Sequence, residues 1–175
     1  YMAGNTLLHQ TPGDDRTAAP VVRLVQPNAA QHQKWDPEWI PVFYERQLAL
    51  TSEKSEKVPD LVVWPEAAVA FLLKENDERF AEISEVASGN TVILGILRFD
   101  GIVANNSVAV IGNGGKIQDI YDKSHLVPFG EYLPGAGWLE RLGMSALASQ
   151  FGDSFSAGSG SRVLELGALG KALPM

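Results

Sequence analysis

Two carboxylates and one ammonium stand at positions suited to proton transfer and charge stabilisation: Glu66 in "LVVWPEAA", and Lys123 and Glu131 in "YDKSHLVPFGEYLPG". The first stretch reads as a buried strand stopped by Pro65, which leaves Glu66 at the strand's carboxyl end. In α/β sheets that edge is where reacting groups collect. A Glu there, partly withdrawn from water beside Trp64, is a candidate general base. Lys123 follows the run "KIQDIY" and so also stands at a strand end. A Lys sheltered beside a carboxylate donates to an oxyanion or holds a nucleophile in its anionic state. Glu131 comes eight residues later, among Pro128, Gly130 and Pro134. The two prolines stiffen that backbone, which suits a carboxylate held in place.

Each of these residues has a plainer reading. Glu66 also fits a helix start, with Pro65 at the first helical position and the carboxylate favoured by the helix dipole. Lys123 also fits a solvated turn, since Lys is rarely buried unless paired, and Glu131 a charged loop tip. His125 reads as a hydrogen-bonded loop residue. Trp35, in "HQKWDPEW", is either a helix-entry packing residue or part of an exposed aromatic patch. "GNGG" is a turn and not a phosphate loop, because neither a Lys-Ser/Thr ending nor a following helix is present.

The elements that must position these groups follow from periodicity and turn chemistry. "PVVRLVQPN" is a β-branched run closed by Pro27 and Asn28, hence a strand. A helix is expected from about Pro41, with Val42, Phe43, Leu48 and Leu50 mostly on one face. "PDLVVWPE" is a second buried strand. "NDERFAEISEVASG" is an amphipathic helix with Phe80, Ile83 and Val86 spaced three apart, ending at Gly89. "NTVILGILRFDG" is a third strand, and "NNSVAVIGNGGKIQDIYDKS" a hairpin turning at Asn113-Gly114-Gly115. "GWLERLGMSALASQFG" reads as a short amphipathic helix, and "SRVLELGALGKALPM" as a strand, a Gly-rich turn and the start of a further strand. The order β-α-β-α-β followed by a hairpin and more strands predicts an α/β fold with a mixed sheet.

Composition narrows the classes. The chain has 175 residues, 45% hydrophobic and 20% charged, enough for one domain with a core. A net charge of −7 with scattered Lys and Arg argues against nucleic acid as a partner. There is no Cys, which excludes disulfides and thiolate metal sites, and three widely spaced His make a metal site unexpected. No apolar run approaches the roughly 18–20 residues that span a bilayer.

The stretches "VVRLVQPNAAQHQKWDP", "DLVVWPEAA", "NNSVAVIGNGGKIQDIYDKSHLVPFGEYLP" and "GKALPM" together resemble the nitrilase, or carbon–nitrogen hydrolase, superfamily. Within it they resemble the bacterial apolipoprotein N-acyltransferases, membrane enzymes that add a third acyl chain to lipoproteins. The match covers most of residues 20–175, and "YDKSHLVPFGEYLP" is its most specific part. The resemblance implies an α-β-β-α sandwich, C-terminally incomplete, over residues 19–175. It makes residues 1–18 a linker or arm following a membrane region outside this chain.

The resemblance also implies roles. Glu66 is the general base, Lys123 stabilises the oxyanion, Glu131 is a second carboxylate of the pocket, and Trp35 lies near the lipid-binding site. No cofactor or metal is implied. The partners are a phospholipid acyl donor, an apolipoprotein acceptor and the bacterial inner membrane, with the catalytic domain facing the periplasm. The family nucleophile is a Cys in a motif resembling Ile-Cys-Tyr-Glu, expected about two residues past Met175. No Ser matches it, so the chain by itself is expected to be inactive. The apolar residues Leu133, Trp138, Leu139, Leu142, Met144 and Leu147 suit either a flap over residues 133–150 lying against lipid or a packed helix. Two alternatives share much of the pattern: a soluble carbon–nitrogen hydrolase acting on a small amide, and a non-catalytic binding module. Three placements test the resemblance. Glu66 and Lys123 should converge, residues 133–150 should expose apolar side chains, and the "GKALPM" strand should run toward the Glu66–Lys123 gap, with Met175 within roughly 10–12 Å of the Glu66 carboxylate.

Overall fold

Three short apolar runs form the parallel half of a mixed sheet. In the computed structural model, which describes residues 19–30, 32–101, 103–127 and 155–174, β1 (Val22–Leu24), β2 (Leu61–Val63) and β3 (Thr91–Asp100) lie side by side. Val22 is opposite Leu61, and Leu61 is opposite Thr91. Parallel neighbours require crossovers, which α1 (Ile40–Ser52) and α2 (Glu78–Val86) supply. The chain then reverses at Gly101, whose φ of 62° is a left-handed conformation, into β4 (Val103–Ile111). A second reversal at Asn113–Gly115 leads into β5 (Ile117–Asp122). Both later pairings are antiparallel, and the sheet order is β1-β2-β3-β4-β5. Two reversals return β5 to the direction of β2. The carboxyl ends of β2 and β5, and with them Glu66 and Lys123, therefore face the same edge.

Alternation along the strands sorts side chains onto two faces. Val62, Trp64, Val92, Leu94, Ile96, Ala109 and Ile111 pack on one face with Phe80 and Ile83 of α2. On the other face Val110 and Tyr121 meet Leu164 and Leu166, flanked by Leu61, Ile93 and Val108. The latter pair comes from a hairpin of β6 (Leu164–Glu165) and β7 (Lys171–Ala172) and its turn. The fold is thus α/β, with helices, a five-stranded mixed sheet and a small second sheet stacked in that order.

Two details differ from the pattern reading. The buried face of α1 is Phe43, Gln47 and Thr51, while Val42 is 39% exposed. The core takes those polar side chains because they tie α1 to the chain beyond β2. Gln47 Nε2 donates to the Ala68 carbonyl at 2.8 Å, and Trp64 Nε1 donates to Thr51 Oγ1 at 2.9 Å. In α2, Phe80 and Ile83 are buried as expected, but Ser84 is buried with them rather than Val86. Its hydroxyl accepts from the Gly114 amide at 3.0 Å and so anchors the β4–β5 turn.

Among the described residues no helix is long and apolar enough to cross a membrane. The expectations for residues 1–18, Glu131, the helix "GWLERLGMSALASQFG", the 133–150 flap and Met175 lie outside the described residues.

Candidate active site

Glu66 is placed by the way the chain leaves β2. The Trp64 amide still donates to Ile93 O at 2.8 Å, and then Pro65 ends the ladder. The next two residues arch around Gly95: the Gly95 amide donates to Pro65 O at 3.2 Å, and the Ala68 amide donates to Gly95 O at 2.8 Å. A Cβ on Gly95 would stand 2.6 Å from Ala67 N and 2.7 Å from both Glu66 Cα and Pro65 O. Only glycine permits so close an approach of two backbones. Ala67 takes a left-handed φ of 44° at the top of the arch, a conformation that costs an Ala about 1–2 kcal/mol. The segment is a turn, not a helix start, and its continuation bridges Leu72 to Leu97. Lys34, from the loop after β1, donates its ammonium to Glu66 O at 3.0 Å. Burial pushes the Lys34 ammonium below the usual lysine range, and the nearby Glu66 charge offsets part of that.

Lys123 is the first residue past β5. Its amide donates to Asn106 O at 2.8 Å, and its carbonyl accepts from the Gly158 amide at 2.9 Å. Its side chain crosses 57 positions of sequence to reach Glu66, with Nζ 2.9 Å from Oε1. Asn106 Nδ2 donates to the same oxygen at 2.6 Å. The convergence expected of Glu66 and Lys123 is therefore present, and Lys123 is paired rather than a solvated turn residue. The shelter is uneven: the Lys123 side chain is 23% exposed, and that of Glu66 61%. Trp64 packs into the helix-side core and also lines the cavity that Glu66 borders. Two donors hold one carboxylate oxygen of Glu66.

Asn106 escaped the sequence reading. Its only local signal is a polar "NNS" run inside a strand whose other positions are apolar. Beneath it, on the helix face, Asp122 receives Arg98 Nε at 3.1 Å and Arg98 Nη2 at 2.6 Å, together with the Ser107 hydroxyl at 2.6 Å. Burial pushes the Asp122 carboxyl up, but the hydrogen bonds from Arg98 and Ser107 outweigh it and hold the group below the usual carboxylate range.

The site opens onto a cavity of about 410 Å³ between the main sheet and the β6–β7 hairpin, whose wall includes Ile93, Val108, Tyr121, Leu173 and Pro174. Trp35 stands on the other side of the Glu66 arch, 46% exposed, with the Lys34 ammonium 5.8 Å from its ring centre. It borders a separate groove of about 200 Å³ with Phe43, Tyr44 and Phe71. His125 lies in the bend after Lys123. No group of three or more His, Cys, Asp or Glu capable of holding a metal ion occurs among the described residues.

Comparison with known proteins bears on this arrangement. The chain is 38% identical over 165 residues to the apolipoprotein N-acyltransferase of Sinorhizobium fredii, covering 89% of this chain and 31% of that protein. It is 34% identical over 155 residues to the protein of the same name from Brucella suis, covering 83% and 29%. The chain thus spans about a third of the length of these relatives. Its fold is similar to that of an N-terminal amidase, with a TM-score of 0.55 at 16% identity over 83% of this chain and 33% of the other. The sequence model of the family described as carbon–nitrogen hydrolase matches residues 22–170, all of the sheet core from β1 to the β6–β7 turn and both ends of the Glu66–Lys123 contact. The chain belongs to the carbon–nitrogen hydrolase family.

Proposed function

We propose that this chain is the catalytic domain of a bacterial acyltransferase of lipoprotein maturation. It moves an acyl chain from a phospholipid to the N-terminal amine of an apolipoprotein through a Cys thioester. The observation that carries the reading is the convergence of Lys123 and Asn106 on one oxygen of Glu66 at the carboxyl edge of the sheet, in a chain 38% identical to proteins named for that activity.

The chemistry assigned to each group is as follows. The nucleophile is a Cys on the strand that continues from β7; Leu173 and Pro174 border the same cavity as Glu66 and Lys123, which supports that placement. Glu66 takes the thiol proton through Oε2, the oxygen not engaged by Asn106 and Lys123. The thiolate attacks the ester carbonyl of the phospholipid, and the Lys123 ammonium stabilises the tetrahedral oxyanion. The intermediate collapses to the thioester as the lysophospholipid oxygen leaves with the proton from Glu66. The acceptor amine then attacks the thioester, gives its proton to Glu66, and leaves as the amide while the thiol is restored. Glu131 serves as a second carboxylate of this pocket and Trp35 contacts the lipid. The protein resides in the inner membrane with this domain in the periplasm.

The full natural chain, in vesicles with a phospholipid donor and a lipidated peptide acceptor, tests the reading. Glu66→Gln preserves shape but removes the base, and turnover is expected to fall by about 10²–10⁴-fold. Lys123→Met is expected to lower it about 10²–10³-fold. Normal acyl transfer by either variant overturns the assignment, and amide hydrolysis without acyl transfer by the unmodified protein supports an amidase instead.

A further inference from the structure

The Lys123 ammonium is aimed from the end of an edge strand, and such ends fray readily. β5 is the outer strand of the sheet, its register with β4 is already broken at Val110/Ile111, and its last paired residue is Asp122 opposite Ser107. Beyond that pair, the Lys123 amide on Asn106 O is the next backbone bond to β4. Something must keep this end in place if Nζ is to stay 2.9 Å from Glu66.

Strand alternation puts Asn106 and Lys123 on the hairpin face, and Ser107 and Asp122 on the helix face directly behind them. There Asp122 is gripped from two other strands. Arg98 of β3 reaches across β4 to give it two hydrogen bonds, and Ser107 of β4 gives a third. A guanidinium–carboxylate fork has fixed planar geometry, so it defines position as well as supplying attraction. Arg98 and Asp122 are about one quarter exposed. For stability alone an apolar pair often serves as well at a mostly sheltered place, which points to geometry as the purpose. A third element closes on the same residue: a Cβ on Gly158 would collide with Asp122 O, and the Gly158 amide holds Lys123 O.

We propose that Arg98, Asp122 and Ser107 form a strut across β3, β4 and β5 that positions Lys123, with Asp122 as the residue through which it acts. Asp122 touches neither Glu66 nor the reacting atoms; it is a positioning residue. The inference rests on the role given to Lys123 under the proposed function.

The test is epistasis in the full natural chain, assayed for acyl transfer in vesicles. Asp122→Asn keeps the size of the side chain but loses the charged fork. It is expected to lower kcat by about 10–100-fold with KM unchanged, the effect of misplacing a reacting group by about an ångström. Arg98→Met is expected to match it, and the double variant to be no worse than either single one. Thermal melting separately measures the folded fraction. In a Lys123→Met background, Asp122→Asn is expected to cause no further loss, because the group it positions is gone. A further loss there, or a fall in kcat explained by unfolded protein alone, overturns the strut. Unchanged kcat in Asp122→Asn alongside a crippled Lys123→Met also overturns it and leaves the proposed function intact. Full activity of Lys123→Met overturns the proposed function, and this inference with it.

Discussion

A methyl group on Gly95 would have nowhere to go. It would press on the backbone of Pro65, Glu66 and Ala67 at 2.6–2.7 Å, and backbone cannot rotate aside as a side chain can. Gly95→Ala therefore forces β2's continuation off β3. The expected cost is about 1–3 kcal/mol of stability, typical of an overpacked interior, measured by urea unfolding. Under the proposed function, activity should fall by more than the lost folded fraction, because the residue displaced is Glu66. Gly101 is the control. It has a left-handed φ of 62° but nothing within 4 Å of its Cβ position. Gly101→Asn suits that conformation and should leave both stability and activity nearly unchanged. Two glycines in one strand-and-turn unit thus have different physical tasks, one steric and one torsional.

Individual elements are pinned by carboxylates with arginine partners. Asp77 caps α2 and pairs with Arg79, which holds its carboxyl below the usual range. Asp119 of β5 takes Arg162, from the segment before β6, with the same effect. Asp122 is held low by Arg98 and Ser107 against the opposing pull of burial. All three folded-state values lie below the unfolded value of about 3.9. Their contribution to stability is therefore fully present above that pH and is lost as pH falls through each folded value. Urea midpoints should be flat from about pH 7 to 5 and drop steeply below about pH 4. The triple variant with Asn at 77, 119 and 122 should be less stable at pH 7 and should show a shallower acid drop. An unchanged acid drop would remove these pairs from the account.

At the scale of the whole molecule, the β6–β7 hairpin is what brings the end of the described chain to the site. Leu164 is buried between the two sheets against Val110 and Tyr121, and Leu173 and Pro174, just past β7, border the cavity at Lys123. Leu164→Ala removes the central contact of that layer. It should destabilise by about 2–5 kcal/mol, the range for a buried Leu. Hydrogen exchange should rise first at residues 164–172, with β2 and β3 still protected by the helix-side core. Equal loss of protection in both layers would show that the second sheet is not a separable layer.

Among the described residues, local periodicity and turn chemistry by themselves determined which segments are strands and which are helices. The alternation of "VILGI" and "VAVIG", the three-residue spacing of Phe80 and Ile83, and the "GNGG" turn each act over a few residues, and each element forms where that spacing places it. The converging pair Glu66 and Lys123 was likewise legible, as charged groups at strand ends and in stretches resembling a known family. Tertiary structure alone decided their partners. Asn106 lies 40 positions from Glu66 and Lys123 lies 57; strand order and the double reversal through β4 bring them to one oxygen. The polar face of α1 and the Arg98–Asp122–Ser107 fork were invisible for the same reason. A strand's own residues specify its alternation, but the identity of the group across it depends on register with strands elsewhere in the chain.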